Sequence, residues 1–312
     1  MKIVFMGTPD FSVPSLKALT ESHQVVAVFT QPDRPKGRGK KLSMSPVKEL
    51  ALQQNIPVHQ PEKLKNNTEV IEMIKAYQPD IIIVVAFGQL LPKEILQLPR
   101  YGCVNLHASL LPKYRGAAPI NWSIINGEKE AGNTTMLMAE GLDTGDMLLK
   151  DSIKLDEQIT AGELHDILAT RGAKLLIDTL EGLEANIIVP IPQNDSLSTY
   201  ASMLSKEMAV IDWNKSAEEI HNFIRGLNPW PVAYSYYENQ MLKIYESEVT
   251  SQKSAEKPGT VIEVSKSGIK VSCGMGVILI KKIQLPNSKP MYVKDYINGN
   301  DLKVKSLLGK EK

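Results

Sequence analysis

Asn105 and His107 stand two residues apart where the local pattern predicts the end of a β-strand, so their side chains project to one side of a sheet. An asparagine amide there can donate a hydrogen bond to an oxygen on which negative charge develops. A neighbouring imidazole can donate a second, or move a proton near neutral pH. Asp143 lies in a separate glycine-flanked run, Glu140-Gly141-Leu142-Asp143-Thr144-Gly145-Asp146, where a carboxylate can orient or protonate the ring. Amide, imidazole and carboxylate together suit acyl transfer through a tetrahedral intermediate. Residue types alone also allow the plainer reading, a histidine hydrogen-bonded for structural reasons at a strand end.

A second cluster is basic. In Arg34-Pro35-Lys36-Gly37-Arg38-Gly39-Lys40-Lys41 five of eight residues carry positive charge and no acid intervenes. Such a run can be a solvated surface. It follows a strand-like stretch, however, on the edge of the sheet where ligands bind, and there Arg34, Lys36, Arg38, Lys40 and Lys41 can neutralise phosphates, with the glycines permitting close approach. The chain's formal net charge is only +1.

Other chemistries find little support. Cys103 and Cys273 are the only cysteines. They give neither a disulfide framework nor metal-ligand spacing, and they suit a reducing compartment. His23, His59, His165 and His221 show no ligand spacing with one another, so no metal is expected. Gly7-Thr8-Pro9 has a single glycine and no dinucleotide fingerprint. Trp122, Trp213 and Trp230 read as packing residues. Neither a signal sequence nor a run of about 20 apolar residues occurs, which places the protein in the cytoplasm.

The elements that must position these residues follow from hydrophobic patterning. Residues 2–6 and 24–30 are strand-like around a short helix at 11–20, a βαβ opening. Helical patterning at 46–54 and 70–77 precedes residues 80–87, whose run Ile81-Ile82-Ile83-Val84-Val85-Ala86 predicts a strand buried on both faces. A doubly wound, mostly parallel, Rossmann-like sheet is therefore expected, with ligands beyond the carboxyl ends of its strands. Phe87-Gly88-Gln89-Leu90-Leu91-Pro92, Asn105 to Pro112 and the Asp143 run all fall there. Thr160 and Glu163 have capping-box spacing before a long helix that ends before Pro190.

Residues 190–206 open with prolines and polar residues and read as a linker between a domain at 1–189 and another at 207–312. In the second domain a helix at 216–227 precedes five strand-like runs, at 233–237, 241–246, 259–264, 268–273 and 276–285. Their spacing suits a small barrel of the oligonucleotide-binding type.

The run Asn-Leu-His-Ala-Ser-Leu-Leu-Pro-Lys-Tyr-Arg-Gly-Ala-Ala-Pro-Ile-Asn-Trp, residues 105–122, resembles the signature of the folate-dependent formyltransferases, and residues 140–146 resemble that family's second catalytic loop. Gly7-Thr8-Pro9-Asp10-Phe11, Thr30-Gln31-Pro32-Asp33-Arg34, Phe87 to Pro92 and Asn228-Pro229-Trp230-Pro231 resemble the branch acting on methionyl initiator tRNA. The resemblance implies that Asn105, His107 and Asp143 are the catalytic trio. It also implies that Ser109, Leu110, Leu111 and Pro112 bind folate, and that Phe87, Gly88, Gln89, Leu90, Leu91 and Pro92 hold its pteridine through backbone groups. By the same resemblance the basic run engages tRNA, Arg38 foremost, 10-formyltetrahydrofolate is the formyl donor, no metal takes part, and the protein is a monomer. A formyltransferase for a small amine, such as an amino sugar-nucleotide or glycinamide ribonucleotide, shares the signature but needs neither the basic run nor a second domain. A non-catalytic RNA-binding protein would explain those two features and not the trio.

Overall fold

The computed structural model describes residues 1–36 and 41–309, with Lys36 and Lys41 as backbone only. By internal packing the chain divides into two units: Met1–Gly116, Ala131–Ile153 and His165–Ala201 form the first, and Ala117–Glu130, Lys154–Leu164 and Ser202–Lys312 the second.

The first unit is built on a seven-stranded sheet. From one edge its order is Met147–Lys154, Glu130–Leu137, Cys103–His107, Ile81–Val85, Lys2–Gly7, Gln24–Phe29 and Val58–His59. Ile81–Val85, buried at every residue, pairs in parallel with Lys2–Gly7, Ile83 opposite Phe5, and with Cys103–His107, Val84 opposite Asn105. Five β-branched residues in a row fit a pleated surface covered on both sides. The chain first winds outward from Lys2–Gly7, then returns to its other flank for Ile81–Val85. That reversal opens a crevice at the carboxyl ends of these two strands. Glu130–Leu137 runs antiparallel to Cys103–His107 and sets Thr134 opposite His107. The Thr160 and Glu163 capping pair is formed, Glu163 Oε2 accepting the Thr160 N–H at 2.8 Å, and the helix that follows is Ala161–Glu184.

Residues 190–201, read from composition as linker, lie along the first unit. Ile191 and Met147 exchange two backbone hydrogen bonds of 2.8 Å, and Tyr200–Ala201 pairs in parallel with Arg115–Gly116.

The second unit holds an antiparallel half-barrel sheet in the order Tyr234–Tyr237, Gln240–Val249, Val277–Gln284, Gly268–Ser272, Val261–Ser265, with Met291–Tyr292 beside Val277–Gln284. The chain's tail bridges both ends of that path, Gly309 to Tyr236 and Leu307 to Thr260. Five strands along the path agree with the expected small barrel. The helix Ala217–Gly226 starts from a complete capping box of Ser216 and Glu219. It packs on Pro119–Ile125, with the Asn121 amide donating to the Gly226 carbonyl at 2.8 Å. Trp213 is buried and donates to Ser235 Oγ at 2.9 Å, whereas Trp230 is half exposed, so packing accounts for the first and not the second. Among the described residues no helix is long and apolar enough to cross a membrane.

Ile83 lies at the centre of the strand that sets the crevice and is fully buried. Ile83→Ala is expected to cost about 2–5 kcal/mol in urea-induced unfolding; a loss under about 1 kcal/mol would show that this strand is not a rigid part of the core.

Candidate active site

Cys103–His107 is buried along its whole length although it carries two polar side chains. Asn105 and His107 are only 8% and 6% exposed. His107 Nε2 lies 2.8 Å from the carbonyl of Tyr114, and because a carbonyl can only accept, the proton is on Nε2. Tyr114 has φ 62, a left-handed conformation that a tyrosine seldom adopts, and it turns that carbonyl toward the ring. The Asn105 amide makes no hydrogen bond among the described residues, so it is free to donate to a ligand. Burial pushes the Cys103 thiol up to about 12, which keeps it protonated and removes it as a nucleophile.

Asp143 reaches the same place from another loop. Its Oδ2 is 3.7 Å from His107 Nδ1 and accepts the Gly116 N–H at 2.8 Å. A proton arriving on Nδ1 would therefore sit against a carboxylate whose orientation is fixed by backbone. Asp143 itself has φ 51, a costly conformation that surrounding contacts must maintain. Two such contacts are visible. Any side chain at Gly145 would run into the Leu137 carbonyl, which keeps the loop close to its strand. The side-chain amide of Gln193 donates to the carbonyls of both Asp143 and Gly145 at 2.8 Å.

Of the positions expected to hold folate, Phe87 and Leu91 are buried while Leu90 is 63% exposed. The loop is pinned at three places. The Phe87 carbonyl accepts from Gln31 Nε2 at 3.1 Å and Thr8 Oγ1 at 3.3 Å, Gln89 Oε1 accepts the Leu64 N–H at 3.0 Å, and Gln89 Nε2 donates to the Pro61 carbonyl at 3.1 Å. The backbone N–H and C=O groups of Gly88, Gln89, Leu90 and Leu91 make no backbone hydrogen bond among the described residues, so they fit a flat heterocycle edged with donors and acceptors. Gly88, at φ +85, has only Gln31 Nε2 within contact of the place a side chain would take, at 3.9 Å. Residues 109–112 are held by Thr134, whose hydroxyl donates to the Ser109 carbonyl at 2.7 Å and accepts the Leu111 N–H at 3.1 Å. Ser109 Oγ donates to the Lys113 carbonyl at 2.7 Å, and Lys150 Nζ to the Leu111 carbonyl at 2.5 Å. Leu110 is half-buried beside the buried Leu111, and Pro92 and Pro112 are half-buried.

The two ends of the basic run lie on paired strands. Arg34–Lys36 pairs antiparallel with Lys41–Ser43, Lys36 opposite Lys41. Arg38 and Lys40 lie outside the described residues, and Arg34 is exposed. The hairpin's base is fixed by Asp33, which accepts from Lys48 Nζ at 2.7 Å and Gln60 Nε2 at 2.8 Å. These two bonds hold the Asp33 carboxyl below its usual value.

His107 and Asp143 thus meet, with Asn105 two residues back on the same strand and residues 109–112 following it, while the basic run follows Gln24–Phe29, three strands along the sheet from Cys103–His107. Sequence reasoning assigned no role to Thr134, Tyr114, Gly116 or Gln193. Tyr114 and Gly116 lie within the signature run and so had a signal; Gln193, in a proline-rich segment, had none.

Residues 1–180 match the formyl transferase family, and residues 203–301 match the formyl transferase C-terminal domain. A methionyl-tRNA formyltransferase of Clostridium novyi is 61% identical over 308 residues, covering 99% of this chain and 100% of that protein. Another, of Clostridioides difficile, is 56% identical over 310 residues, with 99% and 100% covered. Among solved structures, the sugar 3N-formyl transferase WlaRD, crystallised with dTDP and 5-N-formyl-THF, has TM-score 0.68 at 21% identity, covering 93% of this chain and 99% of that one. A methionyl-tRNA formyltransferase from Clostridium thermocellum has TM-score 0.53 at 20% identity, covering 81% and 95%. These two likenesses concern the fold.

Thr134→Val keeps the shape of the side chain but removes the hydroxyl that bonds Ser109 and Leu111. It is expected to destabilise the protein by about 1–3 kcal/mol, as buried backbone groups lose their partner; an unchanged unfolding midpoint would show that residues 109–112 do not depend on it.

Proposed function

The chain belongs to the formyl transferase family, and on that premise we propose that it moves a formyl group from 10-formyltetrahydrofolate to the amino group of methionyl initiator tRNA. The observation that carries the acceptor assignment is the 61% identity to a methionyl-tRNA formyltransferase along 99% of the chain, both units included. The sugar formyl transferase shares the fold at only 21% identity.

The site supplies a mechanism in keeping with this. The amine of an aminoacyl ester is less basic than that of a free amino acid, so a neutral nucleophile needs no strong base. As its nitrogen bonds to the formyl carbon, negative charge grows on the formyl oxygen, where the free amide of Asn105 would donate. The bond from carbon to the folate nitrogen then breaks, and the proton lost by the amine goes to that nitrogen. His107, with Asp143 beside its Nδ1, would relay it. The loop 87–92, with its unengaged backbone groups, and residues 109–112, held by Thr134, would bind the donor. We assign the fragment 1–189 to catalysis, 190–206 to the link and 207–312 to tRNA binding, the basic run 34–41 adding phosphate contacts.

His107→Ala, Asp143→Asn and Asn105→Ala are expected to lower turnover by about a hundredfold or more, with folate binding retained. Formyl transfer assayed in parallel on methionyl initiator tRNA, on a small amine and on neither tests the whole reading. Formylation of the small amine alone would replace the acceptor, and tRNA binding without transfer would make the protein a non-catalytic binder.

Arg38→Ala should weaken tRNA binding and flatten its salt dependence by roughly one unit of slope or less, leaving folate binding unchanged. Equal losses for tRNA and folate across a salt series would assign the hairpin to the folate site instead.

A further inference from the structure

The segment that carries the chain out of the first unit also braces the catalytic loop, through one side chain whose orientation chemistry leaves no choice. Gln193 Oε1 accepts from Arg115 Nε at 3.0 Å and from the same guanidinium's NH2 at 2.8 Å. Arginine can only donate, so the atom facing it is the oxygen. The amide nitrogen is thereby turned toward the carbonyls of Asp143 and Gly145, both at 2.8 Å, which can only accept. All four bonds are satisfied in one rotamer. Asp195 Oδ1 also accepts from that NH2, at 2.7 Å. Four residues beyond, Thr199 Oγ1 accepts the Tyr114 N–H at 2.8 Å and the Thr199 carbonyl accepts the Arg115 N–H at 2.9 Å. Tyr114 is the residue whose carbonyl holds His107, and Gly116 is the one whose N–H holds Asp143.

We propose that Gln193 is a positioning residue for the transfer reaction, fixing the left-handed backbone of Asp143 so that its carboxylate stays on His107 Nδ1. This rests on the reading that Asp143 and His107 carry the proton. Gln193 touches neither reactant in this arrangement. Its effect passes through the peptide of Asp143, and misplacing a reacting group by about 1 Å can cost about a hundredfold.

The test uses the full-length enzyme. Gln193→Ala removes the whole clamp, whereas Gln193→Glu keeps the side-chain length and the acceptor for Arg115 and replaces the two donated bonds by a carboxylate oxygen set against the same two carbonyls. Both are expected to lower kcat by about ten- to a hundredfold, with KM for the formyl donor and for methionyl-tRNA little changed. In an Asp143→Asn background Gln193→Ala should add far less than it does alone, because its effect runs through Asp143. Independent, multiplicative losses would overturn the proposal, as would normal kcat in Gln193→Glu or a loss appearing only in KM. If Asp143→Asn is impaired while both Gln193 variants work normally, the proposal fails and the site reading stands. If Asp143→Asn itself turns over normally, the site reading fails and takes the proposal with it.

Discussion

A strand closed off from water on both faces has no use for polar side chains unless each finds a partner or a purpose, and Cys103–His107 carries two. A buried unpaired polar group costs about 1–3 kcal/mol. Much of what surrounds the strand can be understood as meeting that demand for His107. The Tyr114 carbonyl is swung toward the ring by an unfavourable backbone, and the Asp143 carboxylate is brought in from a separate loop and tied to Gly116. The Asn105 amide, 8% exposed, has no hydrogen-bond partner among the described residues. His107 thus has a partner on Nε2 and a carboxylate 3.7 Å from Nδ1, while the amide of Asn105, two residues away, has none among the described residues; that contrast points to a ligand.

The sheet supplies the rigidity this needs. Asn105 lies between the buried Val84 and Met136 on the two adjacent strands, and His107 lies opposite the buried Thr134. Thr134 also orders residues 109–112, which means one side chain sets the spacing between the chemistry and the segment proposed to hold the donor. Loops carry the variable functional groups while strands fix where they begin.

The elements with strong local patterning are legible in the sequence. Ile81-Ile82-Ile83-Val84-Val85 announces a buried strand by composition, Thr160 with Glu163 announces a helix start, and the strand-like runs after residue 230 announce a small antiparallel sheet. The signature run brings Asn105 and His107 together with Asp143 through resemblance. What composition does not convey is the behaviour of residues 190–201. Prolines and polar residues look the same whether a segment hangs free or lies bonded along a sheet. The bonds of Gln193 reach back 48 to 78 residues, leaving no periodicity to read. Trp230 likewise carries the composition of a core residue in a half-exposed position.

The parallel pairing of Tyr200–Ala201 with Arg115–Gly116 also sets an order in time. A ribosome that has just made the Asp143 loop has produced every group proposed for the chemistry but not the braces that hold them, since Gln193 and Thr199 come some 50 residues later. At about 5–20 residues per second, the nascent chain spends several seconds with the Asp143 carbonyl not yet bonded to Gln193 and the Tyr114 N–H not yet bonded to Thr199. Competence for the reaction is therefore acquired late, as the last stretch of the first unit is laid down and before the final segment of the second is made.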